Sequence, residues 1–133
     1  MPPFNFVNPS VLGSPRGYSN GLIADAGGRL LFVAGQIAWN QQQQIVSDDF
    51  VEQFDRALAN VVLVVAEAGG TPAQIARLVI YVTNKQEYLA RTVEVGERYR
   101  RHMDRHYPAM VLVEVKSLLD DRAQVEIEAI AVL

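Results

Sequence analysis

With 133 residues the chain is long enough to bury one core but not two, so residues 1–133 read as a single domain. Its composition, 50% hydrophobic and 20% charged, is that of a soluble globular protein, and a net charge of -3 argues against nucleic acid as the main partner. The lack of cysteine excludes a disulfide framework, a thiol nucleophile and a zinc–thiolate site. With no leader-like segment and no apolar run of membrane length, the expectation is a cytoplasmic protein without a membrane partner.

The opening Pro2 to Pro9 reads as an extended arm with room for a short edge strand. Residues Gly13 to Gly21 are punctuated by glycine, proline and serine, which marks a loop. Arg16 and Tyr18 stand alone in it and are candidates for function, because loops carry function more often than packing. Leu22–Ala24 and Leu30–Ala34 flank a glycine-bearing turn and predict a hairpin. Gly35–Trp39 continues the second strand, with Trp39 either a core anchor or a pocket wall.

Asp49 with Glu52 three residues on resembles a capping box. Phe50, Phe54, Ala57, Leu58, Val61, Val62 and Val65 then recur at helical spacing, until Gly69-Gly70 and Pro72 end the helix. Arg77–Thr83 is rich in β-branched residues and predicts a buried strand. A second helix is expected from Gln86 to Met103, with Leu89, Val93, Gly96, Tyr99 and Met103 as its inner stripe. Glu87–Arg91, Glu94–Arg98 and Glu97–Arg101 have the spacing of surface ion pairs, each contributing ~0.3–0.5 kcal/mol. Met110–Val115 and Ala123–Leu133 supply the last two strands.

The order is α+β: about six strands and only two substantial helices, enough to cover one sheet face. Leu30–Ala34, Leu78–Val82 and Met110–Val115 are nonetheless apolar at both odd and even positions. A one-sided cover would leave a large apolar surface in water, so the chain is expected to pack against copies of itself.

Along the last strand side chains alternate, which puts Glu126 and Glu128 on one face, roughly 7 Å apart. They read either as a wet sheet end or as a cleft in which one carboxylate moves protons. His102 and His106 have metal-ligand spacing, but Arg100, Arg101 and Arg105 oppose a cation. A solvated helix end is the plainer reading, and no metal is expected.

Gly17-Tyr-Ser-Asn-Gly21, Phe32-Val-Ala-Gly-Gln-Ile37, Tyr107-Pro-Ala109, Val113-Glu-Val115 and Val125-Glu-Ile-Glu-Ala-Ile-Ala131 resemble the Rid (RidA/YjgF) family, from about Asn8 to Val132. The resemblance implies a chorismate-mutase-like α+β fold with a mixed six-stranded sheet and two helices on one face. It also implies a homotrimer whose inter-subunit clefts take a small molecule. The implied activity is hydrolysis of reactive enamines or imines, such as 2-aminoacrylate, to a keto acid and ammonia without a cofactor.

By position, Glu126 matches the glutamate that handles the attacking water, Tyr18 the pocket tyrosine, and Gly35 a backbone segment lining the cleft. Where the active deaminases read Pro-Ala-Arg, this chain reads Pro108-Ala109-Met110, and Gly96 stands where the family offers an asparagine. Methionine cannot form the two charge-assisted bonds by which arginine clamps a carboxylate. Arg16, two residues before Tyr18, is either a relocated clamp or a solvated loop residue. Trp39 and Met110 would give the pocket an apolar wall. Two functions follow: a Rid-like deaminase for a small enamine or imine, or a non-catalytic trimer that binds a small ligand in the same cleft.

Overall fold

The structure, a computed structural model, describes residues 4–25 and 27–133. Pro2 and Pro3 of the predicted arm and Ala26 of the predicted turn lie outside the described residues. The strands are β1 Phe4–Val7, β2 Gly21–Ala24, β3 Leu30–Gln36, β4 Ile75–Val82, β5 Ala109–Glu114 and β6 Val125–Val132. The helices are α1 Phe50–Glu67, α2 Lys85–Ala90 and α3 Thr92–Met103.

The expected α+β fold with a mixed sheet is present. Strand order is β3-β6-β4-β5, so the last strand of the sequence lies inside the sheet. β6 runs antiparallel to β3 and β4, whereas β4 and β5 are parallel. A parallel pair needs a long crossover, which α2 and α3 supply.

The six strands do not form one sheet among the described residues: β1 and β2 make a separate two-stranded ribbon. The predicted β2–β3 hairpin is therefore replaced by β1–β2 and β3–β6 pairings. A glycine-bearing turn marks a chain reversal but not which strand each arm will pair with. Tertiary anchors decide it here. Phe4 is buried and stacks on His106, with ring centroids 6.1 Å apart. Ser19 bridges to the start of β5, its N–H donating to the Pro108 carbonyl at 3.1 Å and its hydroxyl to the Tyr107 carbonyl at 2.6 Å.

Asp49 caps α1 as the sequence predicts, accepting from the Glu52 N–H at 3.0 Å. The Glu52 side chain does not return to the cap; it bonds Arg98 of α3 at 2.6 Å. The second helix breaks at Arg91 into α2 and α3. The break shifts the helical phase, so Val95, Tyr99 and Met103 are buried while Val93 is 73% exposed and Leu89 faces water too. The ion pairs change accordingly. Arg91 reaches Glu94 and Asp49, and Arg98 reaches Asp55 and Glu52, so these arginines tie α3 to α1 instead of decorating a wet face.

One sheet face is closed. Val33, Leu78, Ile80, Val82, Val125, Ile127, Ala129 and Ala131 form one core with Phe54, Leu58, Val61 and Val65 of α1 and Val95, Tyr99 and Met103 of α3. The other face is open in the single chain. Phe32 is 69% exposed, Leu30 60%, and Val111 and Val113 also face water.

Candidate functional site

The residues singled out from the sequence fall into two groups on opposite faces of the sheet. Arg16, Tyr18, Gly96 and Met110 share a cavity of about 610 Å³ on the helix side. Gly35, Trp39 and Glu126 lie together on the outer side, around hollows of about 300 and 440 Å³. The single chain does not bring Glu126 and Tyr18 together.

The helix-side cavity opens between α3 and the β4–β5 pair. Met110 and Leu112 alternate with the exposed Val111 and Val113, which turns the first two toward the helices. Ile80, Phe54 and Val95 complete an apolar base, and Tyr88, Tyr99 and Tyr107 wall it. Tyr99 and Tyr107 stack with centroids 5.3 Å apart, and the Tyr99 hydroxyl donates to the His106 carbonyl at 2.6 Å. Burial, with the neighbouring Tyr107, pushes the Tyr99 hydroxyl well above the ordinary tyrosine range, so Tyr99 acts as a neutral wall.

Ser19 pins the loop that carries Arg16 and Tyr18, holding it to Tyr107 and Pro108 from both its backbone and its hydroxyl. The sequence reading did not single out Ser19. Its signal was a small hydroxyl residue between two candidate loop residues and the following strand. Arg100 also lines this cavity. From the sequence it is one of three helix-end arginines, and its exposure agrees with that; its place at the cavity comes from the packing of α3 beside β5.

On the outer face Glu126 and Glu128 do share a side of β6, as their alternation requires. Their surroundings differ. The Tyr81 hydroxyl donates a hydrogen bond to Glu128, and this bond, followed by burial, raises the Tyr81 pKa. No described side chain hydrogen-bonds Glu126, and its carboxylate opens on both outer hollows.

Gly35 explains the placement of Glu126. A Cβ at position 35 would stand 2.0 Å from one Glu126 carboxylate oxygen and 2.8 Å from its carboxyl carbon, so only glycine lets that side chain lie across β3. The pairing of β3 with β6 shifts register between Val33 and Gln36, which brackets this crossing. Trp39 lines the hollow and also packs against the small cluster of Ile37, Ile45 and Ala123, so it is both wall and anchor. Buried Asn60 of α1 fixes that segment by donating to the carbonyls of Ile37 at 3.0 Å and Trp39 at 3.1 Å.

The two histidines of the helix end diverge. His102 meets Asp55, and His106 donates to the Ile75 carbonyl at 2.7 Å. They do not converge on a common centre. At the α1–α3 contact Asp55 is half-buried; partial burial works against its carboxylate, but the bonds from His102 and Arg98 outweigh it and hold its pKa low.

Among the described residues no helix is long and apolar enough to cross a membrane. The family model described as Endoribonuclease L-PSP matches residues 11–133. A RutC family protein of Haemophilus influenzae is 33% identical over 105 residues, 79% of this chain and 80% of that one. TdcF of Escherichia coli, named as a candidate reactive intermediate deaminase, is 31% identical over 108 residues, 79% of this chain and 80% of that one. Its crystal structure with bound serine superposes with a TM-score of 0.67 at 31% identity, covering 91% of each chain. The Rid-family protein YyfB of Yersinia pestis, of unknown function, superposes with a TM-score of 0.87 at 30% identity over 98% of this chain and 99% of that one. On the sheet architecture, the shared motifs and these matches, the chain belongs to the Rid (YjgF) family.

Proposed function

We propose that this protein is a Rid-type deaminase that hydrolyses a small reactive enamine or imine, in a cleft completed by a neighbouring copy. The observation that carries the reading is the contrast on β6: Glu128 is tied to Tyr81, while Glu126 lies unpaired across Gly35 at the open face. A general base needs a free lone pair at the reacting centre, and Glu126 has one.

In the proposed reaction an enamine first takes a proton at its terminal carbon to become the iminium. Glu126 accepts a proton from water as the water oxygen bonds the iminium carbon. The C=N π electrons move to nitrogen, which gives the neutral carbinolamine. Glu126 then passes its proton to that nitrogen, the C–N bond breaks with loss of ammonia, and the hydroxyl oxygen releases its proton to solvent as it becomes the carbonyl of the ketone. Tyr18 orients the substrate, and Met110 and Trp39 give an apolar wall.

The half-sites lie on opposite faces of one sheet, so two copies must supply them. The open face supports that association: burying side chains such as Phe32 and Leu30 contributes ~1.5–3 kcal/mol each. The homotrimer of this proposal places Glu126 of one copy against the Tyr18 cavity of the next.

Methionine at 110 favours a second reading, a non-catalytic trimer that binds a small ligand in the same cleft. Turnover of 2-iminobutyrate, 2-iminopropionate and an uncharged enamine by purified protein separates the two. Release of ammonia above the uncatalysed rate is expected for at least one substrate. No acceleration with any of them overturns the deaminase reading and leaves the binder.

A further inference from the structure

We infer that Arg100 of α3 is the anion-recognition group of the helix-side cavity, selecting with Arg16 a carboxylate ligand that has an aromatic or branched apolar body. Two guanidinium groups, Arg16 and Arg100, line this cavity, and among the described residues no aspartate or glutamate does. The neighbouring arginines Arg91 and Arg98 are consumed in ion pairs with α1 and with Glu94. Arg100 has no such partner among the described residues, so its donors remain available for a planar anion.

Gly96 eases this placement. Side chains on a helix lean toward the preceding turn, and Arg100 lies back over position 96. A Cβ there would be 3.1 Å from one terminal guanidinium nitrogen and 3.8 Å from its central carbon. Glycine at 96 thus leaves the guanidinium room to rest on the helix at the cavity wall. Methionine at 110 complements it, because a cation on β5 would share the same cavity with Arg100 at a Coulombic cost. The two residues that depart from the family pattern together favour an arginine arriving from the helix.

The body of the ligand follows from the walls. Phe54, Tyr88, Tyr107 and Leu112 line a space of about 610 Å³, far more than a three-carbon acid fills. An arylalkyl 2-imino acid, or the 2-oxo acid it yields, matches charge, ring and size. The identity of the reacting end rests on the proposed function, but recognition of the anion stands on binding alone.

Calorimetric titration of the full chain with phenylpyruvate and with its neutral counterpart phenylacetone tests this. Wild-type protein is expected to bind the acid at least about tenfold more tightly than the ketone. Arg100→Ala should remove that preference while leaving ketone affinity within about twofold and thermal stability unchanged. Arg100→Lys should keep part of it, because a point charge attracts the carboxylate without the fork. Arg16→Ala should lower it less than Arg100→Ala.

The inference is overturned if wild type binds neither compound, if it does not distinguish them, or if Arg100→Ala weakens both alike. It is equally overturned if the preference survives Arg100→Ala and is lost with Arg16→Ala. Ammonia release is read separately: acid preference without turnover sinks the deaminase and leaves Arg100 its role, and turnover without acid preference does the reverse.

Discussion

On its helix-covered side the sheet lines a cavity with two guanidinium groups, four tyrosines and no carboxylate; on its outer side it carries two glutamates on one strand. The covered side has area, aromatic walls and fixed positive charge, which suit binding. The outer side has a carboxylate with free lone pairs, which suits proton transfer. Held in contact within one chain, Glu126 and an arginine would form an ion pair and each would lose its separate use. The thickness of the sheet keeps them apart within one chain, and in the proposed trimer a second copy would bring them to one cleft. In this reading binding and chemistry become productive only on assembly.

The largest effect is expected from breaking the association itself. Phe32→Glu puts a charge into the open apolar face and should convert the proposed trimer to a monomer at micromolar concentration, abolishing turnover with the fold retained. Light scattering, circular dichroism and an ammonia assay on one sample check this. A trimer with full activity would mean that the outer face is not the interface.

Next in size is the difference between the two glutamates. Glu126→Gln should lower kcat by about 10²- to 10⁴-fold, the range of a positioned acid–base group, with the trimer intact. Glu128→Gln should cost less than about tenfold, because its carboxylate is occupied by Tyr81. Equal losses in the two variants would erase the distinction drawn between them.

The smallest effect belongs to the covered side and should leave the chemistry untouched. Asp55→Asn removes the charge and one of the two acceptor oxygens that serve Arg98 and His102, and should cost about 1–2 kcal/mol of stability at neutral pH, with turnover within about twofold. The folded pKa of Asp55 lies below its unfolded value of about 3.9, so its stabilisation is present above that value and is lost as pH falls through the lower folded one. Denaturant melts from pH 7 to pH 2 should therefore show a shallower acid decline in Asp55→Asn than in wild type. Parallel declines would remove Asp55 from the account of how α3 is held on α1.

Much of the fold was legible along the chain, because local periodicity reports on burial directly. Strict alternation put Glu126 and Glu128 on one face, helical recurrence from Phe50 to Val65 marked α1, and the Asp49 cap formed where its spacing placed it. Apolar residues on both faces of the strands foretold the open surface around Phe32.

Other features depended on contacts that no single stretch contains. The turn before β3 signalled a reversal, but Ser19 on Pro108 and Phe4 on His106 decided that β2 would pair with β1. Which glutamate is tied and which is free depended on where Tyr81 falls when β4 pairs with β6, a register between residues more than forty positions apart. Arg100 is exposed, as a helix-surface arginine should be, but only the packing of α3 beside β5 shows that it also lines the cavity. Sequence determined the first helix and the alternation of the strands, since those are set by side-chain chemistry and local repeat. Only the tertiary structure decided which charges are partnered, because a charge is spent or free according to what another part of the chain brings within hydrogen-bond reach.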